Sequence, residues 1–270
     1  MRIFKQETNL KMVISGLIVE KYRYLDNSVG YGNFEDVYEQ GKAYKNNSFQ
    51  SSFRSSEDIQ KYNEIIRKRR FRRLVDSNVN VYSKQQNLFY PPILQTLTYN
   101  QQQEDIQKSK EDLNLFIKRL NYNLDNSGLK YLAVPELTKI GRIHFHTLFF
   151  NLPFVSGRDL ARCWGKGFID VRRIDRVRSM GRYMTKYLLK GSGGLLYKKK
   201  SYLSSKDLKK PITIFNQELA EGLEKRLSDS RIISKKLYRS FWQGQTEYTC
   251  YNLPELLPID LIFKSDNIKV

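Results

Sequence analysis

Histidine and cysteine are scarce in this chain, with two of each in 270 residues. Cys163 and Cys250 are too few for a disulfide framework or a cysteine-ligated zinc site, and they suit a reducing compartment. No apolar run is long enough to span a bilayer; the stretch from Met12 to Val19 is too short and reads as a strand. No signal peptide or lipidation motif is found, so the expectation is a cytoplasmic protein with no membrane partner. The phosphate-binding loop of ATP-driven helicases is missing too, which excludes a fused helicase of that kind. Negative charge is in short supply: 28 acidic residues face 47 basic ones, a formal charge of +19. That excess is far beyond what solubility requires and points to a polyanionic partner.

The length allows one catalytic domain with appended segments, or one domain and a small second one. The reading adopted is an N-terminal extension over 1–88, a catalytic domain over 89–195 and a C-terminal accessory segment over 196–270. Residues 26–60 are polar and expected to be loop-rich. A helix is expected from about Glu57 to Val75, and it carries Arg67, Lys68, Arg69, Arg70, Arg72 and Arg73. A solvated helix face is the plain alternative, but six cations in seven positions repel one another. A phosphate-binding arm is the reading adopted.

The pattern then becomes regular. Ile93 to Tyr99 is rich in β-formers and predicts a strand. Leu113, Phe116, Ile117, Leu120 and Leu124 recur at helical spacing behind a Ser109 cap. Leu129 to Glu136 and Arg142 to Leu152 predict a hairpin turning at Gly141. A short helix near Gly157 to Trp164, a strand near Gly167 to Val171 and a helix from about Asp175 to Lys190 follow. This order predicts an α+β domain with helices packed on a central antiparallel sheet. Residues 201–270 show no repeat and no usable motif.

Both histidines fall in one strand, at His144 and His146, so both rings aim at the same face. If the turn centres on Ile140, Glu136 lies opposite His144 and completes a triad of two imidazoles and a carboxylate. Such a set with open positions suits Mg²⁺ or Mn²⁺ poised to polarise a phosphate, with Mn²⁺ the better imidazole binder. The plain alternative is a hydrogen-bonded His/Glu cluster with no metal.

The helix near the end of this region carries Tyr183 and Tyr187, four residues apart and hence on one face. Each has a lysine three residues later, Lys186 and Lys190, whose ammonium would favour the phenolate and neutralise charge developing on a phosphate. A tyrosine can attack a phosphodiester, keeping the phosphate on the protein and freeing a hydroxyl that could prime synthesis. The competing reading is an apolar stripe of Met180, Tyr183, Met184, Tyr187 and Leu188 against a sheet. Arg142 and Arg182, beside the two motifs, join the basic run as candidate DNA contacts.

In this order the motifs resemble those of the HUH endonuclease superfamily, in particular rolling-circle replication initiators of small phages and plasmids. The matching residues are Leu94-Gln95-Thr96-Leu97-Thr98-Tyr99, then Glu136 with His144-Phe145-His146, then Tyr183 to Lys190, within roughly 90–195. The resemblance implies a five-stranded antiparallel sheet of ferredoxin or RNA-recognition type and a divalent metal, Mn²⁺ or Mg²⁺. It implies a 5′-phosphotyrosine intermediate and nicking of single-stranded DNA at a replication origin. Host helicase and polymerase would be partners, and the setting would be the cytoplasm of a bacterial host. The two-tyrosine form is similar to phage-type initiators. Conjugative or mobilisation relaxases share the chemistry but usually carry more histidines, and transposases of the superfamily usually carry one tyrosine. A non-catalytic nucleic-acid-binding protein is the rival from another class.

Overall fold

The computed structural model describes residues 6–26, 29–31, 56–79, 91–125, 128–174, 180–190, 202–227, 230–240, 244–255 and 257. Most of the polar segment 26–60 lies outside the described residues. In chain order the elements are β1 (Gln6–Thr8), β2 (Leu10–Ser15), β3 (Ile18–Tyr24), β4 (Val29–Tyr31), α1 (Ser56–Asp76), β5 (Ile93–Tyr99) and α2 (Ile106–Asn123). Then follow β6 (Tyr131–Leu137), β7 (Ile143–Phe149), α3 (Gly157–Trp164), β8 (Gly167–Arg173), α4 (Met180–Lys190) and β9 (Leu203–Ser204). The last are β10 (Ile212–Ile214), α5 (Gln217–Arg226), β11 (Arg231–Ser240) and β12 (Gly244–Asn252). The chain divides into two compact units, Lys68–Lys210 and Met1–Arg67 with Pro211–Val270. Each holds a five-stranded antiparallel sheet, in an α+β architecture. Among the described residues no helix is long and apolar enough to cross a membrane.

The Lys68–Lys210 unit has the order β8-β5-β7-β6-β9, every pair antiparallel. Its run β5, α2, β6, β7, α3, β8 is the split βαβ arrangement of ferredoxin-like folds. The short β9 adds a fifth strand beside β6, at a place where the sequence offers no strand signal. The unit extends past both ends of the 89–195 span. It takes in Phe71 and Val75 of α1 as core, and at Lys209 a backbone N–H donates to the Asn78 side chain at 2.9 Å.

Strand alternation sends the two faces of this sheet to different fates. Leu97, Tyr99, Tyr131, Ala133, Ile143 and Phe145 face α2 and α3, where Leu113, Phe116, Leu120 and Trp164 cover them. A fully buried Phe116 alone removes enough apolar surface to contribute about 1.5–3 kcal/mol. On the other face Leu94, Leu132, Val134 and Leu148 lie beneath Phe71, Val75, Met180 and Met184. Helix α2 begins three residues earlier than Ser109 suggested. Asp105 is its cap, accepting from the Gln107 and Lys108 backbones at 2.7 and 3.2 Å, while Ser109 is buried and donates to the Asp105 carbonyl.

In the other unit the order is β10-β2-β3-β12-β11. Leu10, Met12, Ile14, Val19 and Tyr251 pack under Ala220 and Leu223 of α5. The expected single strand over Met12 to Val19 is instead a hairpin. Gly16 adopts φ 60°, which lets the chain reverse between Ser15 and Ile18.

Candidate active site

The β6–β7 hairpin places Glu136 directly opposite His144, and β5 places Thr98 on the other side of it. The turn is closed by the Gly141 N–H donating to the Thr138 carbonyl at 3.0 Å, with Gly141 at φ 80°. His146 is two residues along the same strand, so both imidazoles stand on one face with the carboxylate. Glu136 Oε2 lies 2.6 Å from His146 Nε2 and 3.3 Å from His144 Nε2. The three ligand atoms fall within 4.8 Å of one another, and Glu136 and His146 are buried.

These residues form a cluster that could hold a metal ion. The donor set is one oxygen and two imidazole nitrogens converging on one point, which suits a divalent ion with positions left open. His144 Nε2 is also a buried nitrogen with no hydrogen-bond partner, although it points at the cluster. Buried polar atoms are nearly always satisfied, so an orphan at this point fits a cation ligand. Thr96 Oγ1 sits 3.3 Å from His146 Nδ1, where a hydroxyl can accept from the ring and leave Nε2 free for a metal. Sequence reasoning did not single out Thr96, although the β5 register opposite His146 carries that signal.

Helix α4 lays the tyrosines over this cluster. The Tyr187 ring stacks on the His146 ring, centroids 3.8 Å apart and planes 26° apart. Tyr183 and Tyr187 bring their hydroxyls to 3.4 Å, at the span that i, i+4 positions allow. Lys186 serves both: its ammonium lies 3.7 Å from the Tyr183 ring centroid and 4.7 Å from that of Tyr187. The Lys190 side chain lies outside the described residues, as do residues 175–179 at the expected start of the helix. The apolar-stripe reading describes one half of the helix: Met180 and Met184 are core, while the two phenols are partly buried beside the histidines.

The two phenols are electrically unlike. The hydrogen bond from Tyr187 pulls Tyr183 below the usual tyrosine value; burial opposes this, and Lys186 and Arg172 assist. Burial pushes Tyr187 strongly upward, and its hydrogen bond to Tyr183 adds to the shift. Arg172, on β8, was not foreseen, because its place beside the tyrosines depends on strand pairing.

Two contacts fix α4 in place. The Gly181 N–H, in the first turn of the helix, donates to Asp76 Oδ1 at 2.8 Å, an acidic group at the positive end of the helix. A Cβ on Gly181 would meet the Arg72 carbonyl oxygen at 2.4 Å, so only glycine admits α1 this closely. Helix α1 is therefore partly structural. Of its basic run, Arg70 is exposed, while Arg67, Lys68, Arg69, Arg72 and Arg73 are half-buried. Arg182 is exposed on α4, and Arg142 donates to the Tyr99 carbonyl at 2.9 Å, bracing the end of β5.

Residues 92–192 match the family model for the ORF2 type of replication-associated protein. The match begins just before β5 and ends just after α4, so it takes in the whole triad and both tyrosines, and it covers less than half of the chain. It supports a replication-initiator family for this region and an interaction with origin DNA. No curated protein and no solved structure matches the chain.

Proposed function

We propose that this protein initiates rolling-circle replication by nicking and rejoining single-stranded origin DNA, as a two-tyrosine HUH endonuclease. The observation that carries this reading is the stacking of Tyr187 on His146, which puts a pair of phenols beside a carboxylate and two imidazoles. That neighbourhood brings a nucleophile and an electrophilic activator to one phosphate.

Glu136, His144 and His146 would hold the ion, Mn²⁺ or Mg²⁺. When bound, it would polarise the scissile phosphate and offset its charge. One tyrosine oxygen attacks the phosphorus; the P–O bond to the tyrosine forms as the bond to the 3′ oxygen breaks. The phenolic proton passes to solvent and the departing oxygen takes one up, leaving a 3′-hydroxyl primer and a 5′-phosphotyrosine. Lys186, over both rings, favours the ionised phenol and offsets charge on the phosphate. The second tyrosine, 3.4 Å from the first, is placed to attack in a later round and rejoin the strand. Exposed Arg70 and Arg182 supply sequence-independent phosphate contacts. Host helicase and polymerase would act on the nicked origin in the bacterial cytoplasm.

The test uses labelled single-stranded oligonucleotides from the protein's own replicon with Mn²⁺, resolved on a denaturing gel. Label retained on the protein, abolished by EDTA and mapping to Tyr183 or Tyr187, is the expected result. No adduct on any origin-spanning oligonucleotide, with binding intact, would sink the reading and leave a non-catalytic DNA-binding protein. An adduct formed only on a transfer origin or a transposon end would favour a relaxase or transposase instead.

A further inference from the structure

Strand β8 is the edge of the Lys68–Lys210 sheet that neighbours β5. Its register sets Phe168 opposite Thr98, which in turn is opposite His144, itself opposite Glu136. Cross-strand partners share a face, so Phe168, Thr98, His144 and Glu136 form one row on the site side of the sheet. With strands about 4.8 Å apart, Phe168 stands roughly 10 Å from His144. Asp170 and Arg172 follow on the same face at period two, and Ile169 turns the other way into the helix-covered core.

Phe168 is 76% exposed. An apolar ring in water on an ordered strand is uneconomical for folding alone, and its backbone is held firmly. A Cβ on Gly167 would meet the Thr98 carbonyl at 2.3 Å, so β8 starts pressed against β5. The Trp164 indole N–H donates to that same carbonyl at 3.2 Å, and the Asn100 N–H donates to the Lys166 carbonyl at 2.9 Å. The ring therefore stands on a fixed base. Arg172, also exposed, is held at 2.7 Å by Asp170, and its charge reaches both tyrosine hydroxyls.

We propose that the site face of β8 is a subsite for single-stranded DNA, in which Phe168 stacks on an unpaired base and Arg172 holds a neighbouring phosphate. The inference rests on the nicking reading for the identity of the strand, and it assigns where that strand lies. The occupant follows from the surroundings. The row continues into the His/Glu cluster and the tyrosines, and the chain carries a formal charge of +19, which favours a polyanion over an apolar protein partner. A lone aromatic ring beside a guanidinium matches unpaired bases, since a duplex hides its base faces.

The test measures binding of oligonucleotides carrying 2-aminopurine at successive positions, in EDTA so that no cleavage intervenes. One position is expected to lose fluorescence on binding through stacking. Phe168→Ala should abolish that quenching and weaken binding about tenfold, whereas Phe168→Trp should keep both. Arg172→Gln should lower the salt dependence by about one phosphate contact. Unchanged affinity and quenching in Phe168→Ala would overturn the subsite, as would unchanged DNA binding with loss of a self-associated species in sedimentation. Adduct formation read in parallel separates the two ideas. A wild-type protein that quenches through Phe168 but forms no adduct fails the nicking reading alone, and one that forms adducts with Phe168→Ala binding normally fails this subsite alone.

Discussion

Glu136 and Glu224 belong to different units, each set against a five-stranded antiparallel sheet, and they are satisfied in different ways. Glu224, on α5, has one oxygen 2.7 Å from Lys21 and the other 2.7 Å from Arg23, both on β3. Each oxygen has its own cation, and the cluster is complete as it stands. Glu136 sits between two imidazoles, one of which keeps a buried Nε2 with no hydrogen-bond partner. Burial of a polar atom without a partner costs on the order of 1–3 kcal/mol, so a fold tolerates it where something else completes it. The difference separates a carboxylate that ties a helix to a sheet from one that is set to take a cation.

The largest effect expected from this contrast is on chemistry. His144→Ala should reduce adduct formation by about a thousandfold, the equivalent of roughly 4 kcal/mol, since ligand loss removes most of the charge stabilisation at the phosphate. Urea unfolding of the same variant should lose little. Glu224→Gln should leave the adduct rate unchanged, and a comparable fall there would erase the distinction between the two carboxylates.

Next in size is the response to metal. With Mn²⁺ at about a hundred times its dissociation constant, the wild-type protein should gain roughly 2.7 kcal/mol, seen as a higher melting temperature. His144→Ala should gain almost nothing. Equal shifts in both proteins would place the ion elsewhere.

A third change tests whether the tyrosines depend on their mounting. Gly181→Ala forces a methyl group against the Arg72 backbone and should cost about 1–3 kcal/mol by overpacking. It should also slow adduct formation in the molecules that remain folded, because α4 is pushed away from His146. A normal rate in the folded fraction would show that the close contact with α1 serves stability only.

Much of the central region was legible because its signals are local. The period-two pattern of Ile93 to Tyr99, the hairpin ending at Gly141 and the two histidines at i, i+2 each follow from neighbouring residues, and together they fix which side chains share a face. The i, i+4 spacing of Tyr183 and Tyr187 is local in the same way. The docking of α4 on α1 was not legible, since Asp76 and Gly181 are more than a hundred positions apart and the basic residues around Arg72 drew attention to charge instead. Residues 201–270 were opaque for a related reason. Strands β10 and β12 pair with β2 and β3 across nearly the whole chain, and such pairing leaves no periodic mark in either segment. The Met12 to Val19 error came from reading an apolar run by length, when Gly16 inside it marked a reversal.

The smallest effect sharpens the comparison from the other side. Burial alone would raise the Glu224 carboxyl, but the hydrogen bond from Lys21 and the charges of Lys21 and Arg23 outweigh it, and the net shift is downward. Burial alone would lower Lys21, yet Glu224 and Tyr251 outweigh it, and the net shift is upward. A depressed carboxyl contributes stability that is present above its unfolded pKa and lost as pH falls through the folded value. A raised ammonium contributes stability that is lost as pH rises through its folded value. Glu224→Gln should therefore destabilise the protein by about 1 kcal/mol at neutral pH, the scale of partly exposed ion pairs. That deficit should shrink towards zero in acid below the usual carboxylate range, and again in alkali above the usual lysine range. Urea unfolding of the two proteins across pH checks it; a deficit that stays constant from acid to alkali would mean that the bridge contributes through packing, and that Glu224 is not held by charge.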